Sequence, residues 1–339
     1  MKLNKMKIST ILISLGFIAA IILPFVYQSN GYMLDIFISI MIWAAVAQSW
    51  TLLAGNGGMY SLGHIAFFGL GAYTTAYFAA WGVPTILGFP AGMIVAMIVA
   101  FAFGFFVCRL SGHYFSLVTF VFTLGMGVLF RYFDKYTGGD YGLTIPLMME
   151  PSGILNMTFD SQLPYYFLAL LITIICTVVI WFISKSGFGY KLAAIREDMR
   201  AAKAVGINVF KIKLYTFIIS AGLASLAGTV YVSYYKLIEP NTAFSFHTAL
   251  NPIIYSIAGG VGNLFGGIVG STILVPLSSY LNKYAGEFPG IDRVAYGAIL
   301  MLIILFLPKG ILGLSKNFKT KKENASKAKV ENMKIERGA

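Results

Sequence analysis

The sequence predicts an all-α polytopic membrane protein of about ten transmembrane spans, some of them broken or re-entrant, with an amphipathic helix between two of them. Three observations lead there. Of 339 residues, 58% are hydrophobic and only 11% charged, against about a quarter charged in an ordinary soluble domain. The apolar residues gather into runs each near the ~20 residues needed to cross a bilayer. The charges, finally, fall on alternate sides of those runs.

The chain opens with Lys2, Lys5 and Lys7 ahead of an apolar run from Ile8 to Val26. That run exceeds a signal-peptide core, and Ala19-Ala20 is followed by more apolar residues, so it reads as an uncleaved first span. Further runs lie at about 33–54, 64–81, 86–108, 114–132, 164–184 and 212–236. The stretch 248–261 is short and ends in Gly259-Gly260, so it either spans or re-enters the membrane. Runs at 263–281 and 294–312 close the apolar part, giving a membrane domain over 8–312 between a cytoplasmic N-terminus (1–7) and a basic tail (313–339) with too little apolar content to order.

With the N-terminus inside, 20 of the 25 Lys and Arg fall in cytoplasmic segments, and Arg131, Lys135, Lys236, Lys283 and Arg293 remain outside. This is the positive-inside bias. The net charge of +12 therefore reads as orientation and contact with anionic membrane lipid, not as nucleic-acid binding. The same parity makes 134–163, with Asp134, Asp140, Glu150 and Asp160, an external loop: a solvated connector or a docking surface.

The longest charged segment inside the apolar part runs from Lys185 to Lys213, with a cytoplasmic loop over 185–211. Leu192, Ile195, Met199 and Ala202 recur there at helical spacing, with Arg196, Glu197, Asp198 and Arg200 on other faces. Gly206 stands where a left-handed C-terminal cap belongs. The spacing predicts one short amphipathic helix, with Glu197 and Arg200 three apart and able to pair.

No Asp, Glu, His, Lys or Arg lies deep in any apolar run, which counts against proton coupling within the membrane. His64, His113 and His247 are scattered, and Cys108 and Cys176 match no metal or redox spacing, so no catalytic or metal site is expected. There is no GxxxxGK[ST] phosphate loop, so no nucleotide cofactor is expected on this chain. If the chain moves a substrate uphill, the energy must enter from a partner, and the charged loop is the natural point of entry. Gly262, Gly266 and Gly270 fall four apart, as on one packed helix face. Gly57-Gly58 would break the chain at the inner surface, leaving Ser61 and His64 at the entrance to a helix with Gly69 and Gly71; His64 reads more naturally as a hydrogen-bonded histidine than as a ligand.

Six segments carry a resemblance. They are GGMYSLGHIAFFGLGAYTTAYFA (57–79), SGHYFSLVTF (111–120), TGGDYGLTIP (137–146), the run from Gly189 to Val232 containing IREDMRAAKAVGIN, GGVGNLFGGIVGS (259–271) and FLPKGILGL (306–314). In this order they resemble the landmarks of LivM-type permeases, the membrane subunits of branched-chain amino-acid ABC importers. His113 and the Met199 following Asp198 depart from the family's usual residues.

The resemblance implies a non-enzymatic transport subunit in the bacterial cytoplasmic membrane with both termini cytoplasmic. It further implies a LivH-like partner subunit, two cytoplasmic ATP-binding subunits holding the ATP, and an external solute-binding protein. Carried onto this chain, Ile195, Arg196, Glu197, Asp198, Ala201, Ala202, Gly206 and Ile207 would form the ATPase-coupling element, with Leu192 and Met199 completing an apolar stripe that would enter an ATPase cleft. Ser61, His64, Phe67 and Phe68 are candidates for the translocation path. A urea or other small-solute importer of the same family, a partner-independent transporter or channel, and a membrane enzyme are the alternatives.

Overall fold

The computed structural model describes residues 16–146 and 153–284, with 297–298, 301, 305 and 310–313. The N-terminal segment, most of the tail and most of the run at 294–312 lie outside the described residues.

Helices α1 (Gly16–Val26) and α2 (Gly31–Thr51) come first, α2 ending in a π turn over Leu52–Asn56. Then follow α3 (His64–Ala80), α4 (Gly88–Val107), α5 (His113–Tyr132), the single turn α6 (Asp134–Thr137) and α7 (Leu163–Lys185). The charged loop holds α8 (Gly187–Glu197) and α9 (Met199–Ala204), and α10 (Val209–Tyr235) is the longest helix. Last come α11 (Pro240–Phe244), α12 (Phe246–Gly259) and α13 (Gly266–Tyr284). The expected runs at 33–54, 64–81, 86–108, 114–132, 164–184, 212–236 and 263–281 correspond to α2, α3, α4, α5, α7, α10 and α13, and α1 falls in the run Ile8–Val26. Among the described residues five segments are long and apolar enough to cross a bilayer: Gly31–Asn56, Thr85–Val107, His113–Tyr132, Leu163–Lys185 and Val209–Tyr235.

Helices α2 and α10 are central and largely buried, whereas most of α4 and α5 is exposed. The reason is visible in their small residues. Gly71 of α3 lies so close to α10 that an added Cβ would overlap the Ser225 carbonyl, and Gly228 of α10 approaches the Phe68 carbonyl equally closely. Small residues let helix backbones meet, and in lipid that close packing holds helices together. The serine hydroxyls along α10 are satisfied within the helix: Ser220, Ser225 and Ser233 donate to Phe217, Gly222 and Thr229 carbonyls at 2.7–2.9 Å.

The outer helices bury a stripe of every fourth residue. In α4 it is Gly88, Gly92, Ala96, Ala100 and Gly104, and in α5 Phe115, Thr119, Thr123 and Gly127. Ile94, Ile98, Phe101 and Phe106 of α4 point outward, as lipid-facing residues do.

The connections sort into two sets at opposite ends. At one, Ile86 N–H donates to Leu155 O (3.0 Å), Gln162 Nε2 to Tyr234 Oη (3.1 Å) and Tyr32 Oη to Ser279 O (3.3 Å). There Leu143–Thr144 (β1) pairs antiparallel with Leu237–Ile238 (β2), and Arg131 bridges to Asp140 at 3.0 Å. The TGGDYG segment packs here as a tight turn, Gly138, Gly139 and Gly142 all taking positive φ. At the other end meet the turn after α2, the α4–α5 turn, the charged loop and Gly262.

The doubtful stretch 248–261 is half of a broken segment. Phe244 of α11 seats against Gly69 and Gly127, inside the bundle between α3 and α5. The chain breaks at Ser245, whose hydroxyl caps α12 by accepting from Thr248 N–H (3.2 Å). With 14 residues α12 rises about 21 Å, short of the ~30 Å bilayer core. It starts beside Phe120, part-way along α5, and its C-terminal turn carries Gly262 to Gly55 at the second end.

The glycine ladder is not one helix face. Helix α13 begins at Gly266, and Gly262 precedes it in a turn with φ +85°. Gly266 and Gly270 pack on Gly260 and Tyr255 of the same chain, so this contact is internal.

Candidate functional site

The charged loop is two helices rather than one, and Asp198 separates them. Its backbone is extended (φ −152°, ψ 112°), and its carboxylate accepts from the N–H of Arg200 (2.7 Å) and Ala201 (3.1 Å). An N-cap aspartate prefers that conformation to a helical one, and here it starts a second helix in the middle of the charged run. The pairing expected between Glu197 and Arg200 is accordingly absent among the described residues. The break removes their helical spacing, and Glu197 instead meets Arg196 at 2.8 Å. Gly206 takes φ +83°, and Ile207 N–H returns to Ala202 O (3.0 Å), closing α9 with a left-handed cap.

The apolar stripe faces inward. Leu192 is fully buried against Gly57, and Ile195 and Ala202 are 3% exposed. Ile195, Ala202 and Val209 form a small core with Met199, Ile207 and Ile212 around them. The stripe therefore seats the loop on its own bundle and is not free to enter a partner's cleft. Arg196 Nη1 strengthens the seat by donating to Gly55 O (2.7 Å), its stem lying along Gly58 (φ +65°). The exposed residues of the loop include Lys191, Glu197, Arg200, Ala201, Lys203 and Ala204, and Val205 is 77% exposed.

The four path candidates sit in the packed interior. Phe67 packs edge-on against Phe217 (5.3 Å between centroids), and Phe68 stacks on Trp43 (5.8 Å). Ser61 holds the α2–α3 junction: its carbonyl accepts from Trp50 Nε1 (2.8 Å) and its hydroxyl from Gly63 N–H (3.2 Å). His64 Nε2 lies 2.9 Å from Ser49 Oγ, a hydrogen-bonded histidine. All four are at most 1% exposed. No group of three or more His, Cys, Asp or Glu is placed to hold a metal ion among the described residues.

Two features escaped the sequence reading. At the first end, Tyr234 Oη donates to Asp35 Oδ1 (3.0 Å), and Tyr235 Oη lies 2.7 Å from Ser39 Oγ. Asp35 is a span-end residue in sequence, and only the Tyr234-Tyr235 pair closing α10 hinted at polar company. At the second end, a cavity of about 210 Å³ opens between Gly57–Met59, Ser111, Gly112, Ile195, Arg196 and Lys213. Lys213 was visible only as a cation two residues beyond Lys211 at the edge of an apolar run.

A bundle of apolar helices with its loops sorted to two ends, a broken helix, and one charged loop locked onto the bundle describe a polytopic helical membrane protein. The comparisons name the kind. Residues 32–307 match the family described as branched-chain amino acid transport system / permease component, and the chain belongs to that family. The LivM high-affinity branched-chain amino acid permease protein of Salmonella typhimurium is 27% identical over 322 residues, covering 88% of this chain and 74% of that protein. The LivH protein of the same organism is 26% identical, covering 80% and 91% respectively, and BraD of Pseudomonas aeruginosa is 24% identical with the same coverages. The LivM-type assignment made from the six segments stands with these relatives.

Proposed function

We propose that this chain is the LivM-like permease subunit of an ATP-driven importer for leucine, isoleucine and valine. It pairs with a LivH-like subunit, receives the amino acid from an external solute-binding protein, and is driven by two cytoplasmic ATPases. In this reading the chain spans the membrane about ten times with both termini in the cytoplasm, and the end carrying β1 and β2 faces outward. The sided distribution of Lys and Arg supports that orientation.

The observation that carries the reading is the seating of the charged loop. Leu192 and Arg196 tie α8 to Gly55–Gly58, directly after the central helix α2. A push on the exposed side of α9 would thus reach α2 and α10 through packed contacts. ATP-driven closure of the partner subunits would move the loop with the bundle and bias it between inward and outward access. Val205 and its neighbours, rather than the stripe, would touch the ATPase.

Reconstitution tests this. Vesicles holding the full set of subunits should accumulate radiolabelled leucine only with ATP inside the ATPase compartment and binding protein on the opposite side. Accumulation without the ATPases, or uptake that follows a proton gradient, would refute it.

A further inference from the structure

The cavity between α8, the α4–α5 turn and the start of α10 holds a cation without a counter-charge. Lys213 is 4% exposed, yet among the described residues its ammonium makes one hydrogen bond, to Leu110 O at 3.3 Å. An ammonium carries three donors, and a buried charge is costly unless paired. Arg196 lines the same cavity and spends two donors on Gly55 O and Glu197. The exposed Ser111 stands at the rim beside Gly112, whose φ of +59° and lack of a side chain leave the opening clear. Two cations and one hydroxyl line the space, and no Asp or Glu does.

Its position supplies the ligand's class. Lys213 lies in the first turns of α10, α4 ends at Val107 and α5 starts at His113, so the cavity is level with the ends of the apolar helices. The exposed rings of Phe105, Phe106 and Tyr114 flank that turn. Basic pockets between helices at this depth take lipid phosphates. We infer that this cavity binds the phosphate group of an anion, an anionic lipid headgroup or free phosphate, with Lys213 as its counter-ion and Arg196 and Ser111 as further donors. Bound there, the anion joins the charged loop to the α4–α5 turn and α10, and stiffens the joint on which the loop is seated.

The test reads binding alone, and so stands apart from the transport reading. The full chain, purified with its partner subunits, is incubated with phosphatidylglycerol or phosphatidylcholine and the retained lipid counted by native mass spectrometry. Wild type should retain phosphatidylglycerol in preference. Lys213→Gln should weaken retention about fivefold or more, Lys213→Arg should restore it, and Lys211→Gln, exposed on the same helix, should leave it unchanged. Millimolar inorganic phosphate that displaces the lipid assigns the site to the free anion; retention that resists it assigns the site to the headgroup. Should Lys213→Gln fail to fold, Ser111→Asp places a repelling charge at the rim without touching the core. Equal retention of the two lipids, or wild-type retention by Lys213→Gln and Ser111→Asp, overturns the inference.

Discussion

Two single residues decide how the charged loop is built. Asp198 divides it, and removing its carboxylate leaves the first N–H groups of α9 without an acceptor. Asp198→Ala should cost about 1 kcal/mol of local stability, seen as faster amide exchange across Met199–Ala204 with the transmembrane helices unaffected. Gly71 works on a larger structure, since a methyl group there strikes the Ser225 backbone and cannot be relieved by a side-chain rotation. Gly71→Ala should lower thermal stability in detergent by about 1–3 kcal/mol. The solvent-open Gly187, with nothing within 4 Å of an added Cβ, should accept Ala with no such loss.

For the elements, burial separates what holds the loop from what the loop offers. Ile195→Asp would put a carboxylate into the core shared with Ala202 and Val209, and should lower expression or thermal stability. Val205→Asp lies on the exposed crest and should leave folding intact while uncoupling ATP hydrolysis from leucine uptake. Measuring both quantities in vesicles distinguishes these effects. Wild-type coupling in Val205→Asp would remove α9 as the contact. The helices themselves were legible because a continuous apolar run of span length admits little but a helix in lipid. The inward direction of the stripe was not, because an amphipathic pattern states which face is apolar and not what covers it. The break at Asp198 escaped for a related reason: an aspartate within a charged run looks like any solvated helix residue until its backbone is seen. The four-residue seams of α4 and α5 were present in the sequence, with Gly and Ala recurring at 88, 92, 96, 100 and 104. The GNLFGGIVG ladder has the same four-residue spacing in sequence, but one of its glycines, Gly262, lies outside the helix.

At the scale of the whole molecule, two independent lines agree on which loops share an end. The order of the apolar runs puts Gly57-Gly58, Arg109 and the loop 185–211 on the cytoplasmic side, and the contacts of Arg196 with Gly55 and of Lys213 with Leu110 bring these segments together. What the linear sequence withheld was the path of 240–262, since α11 and α12 are each too short to read as a span and only their stacking along α3 and α5 shows one broken segment. The arrangement makes a prediction that needs no transport assay. Cys108 and Cys176 are buried, 2% and 0% exposed, so a membrane-impermeant maleimide should label wild type only weakly. Asp140 and Val205, at opposite ends of the bundle, are both exposed. Asp140→Cys should therefore react in intact cells, and Val205→Cys only after the membrane is opened. Reversal of that order would invert the assigned orientation and with it the place of ATPase docking. Labelling of both from outside would break the separation of the two loop sets on which the permease reading depends.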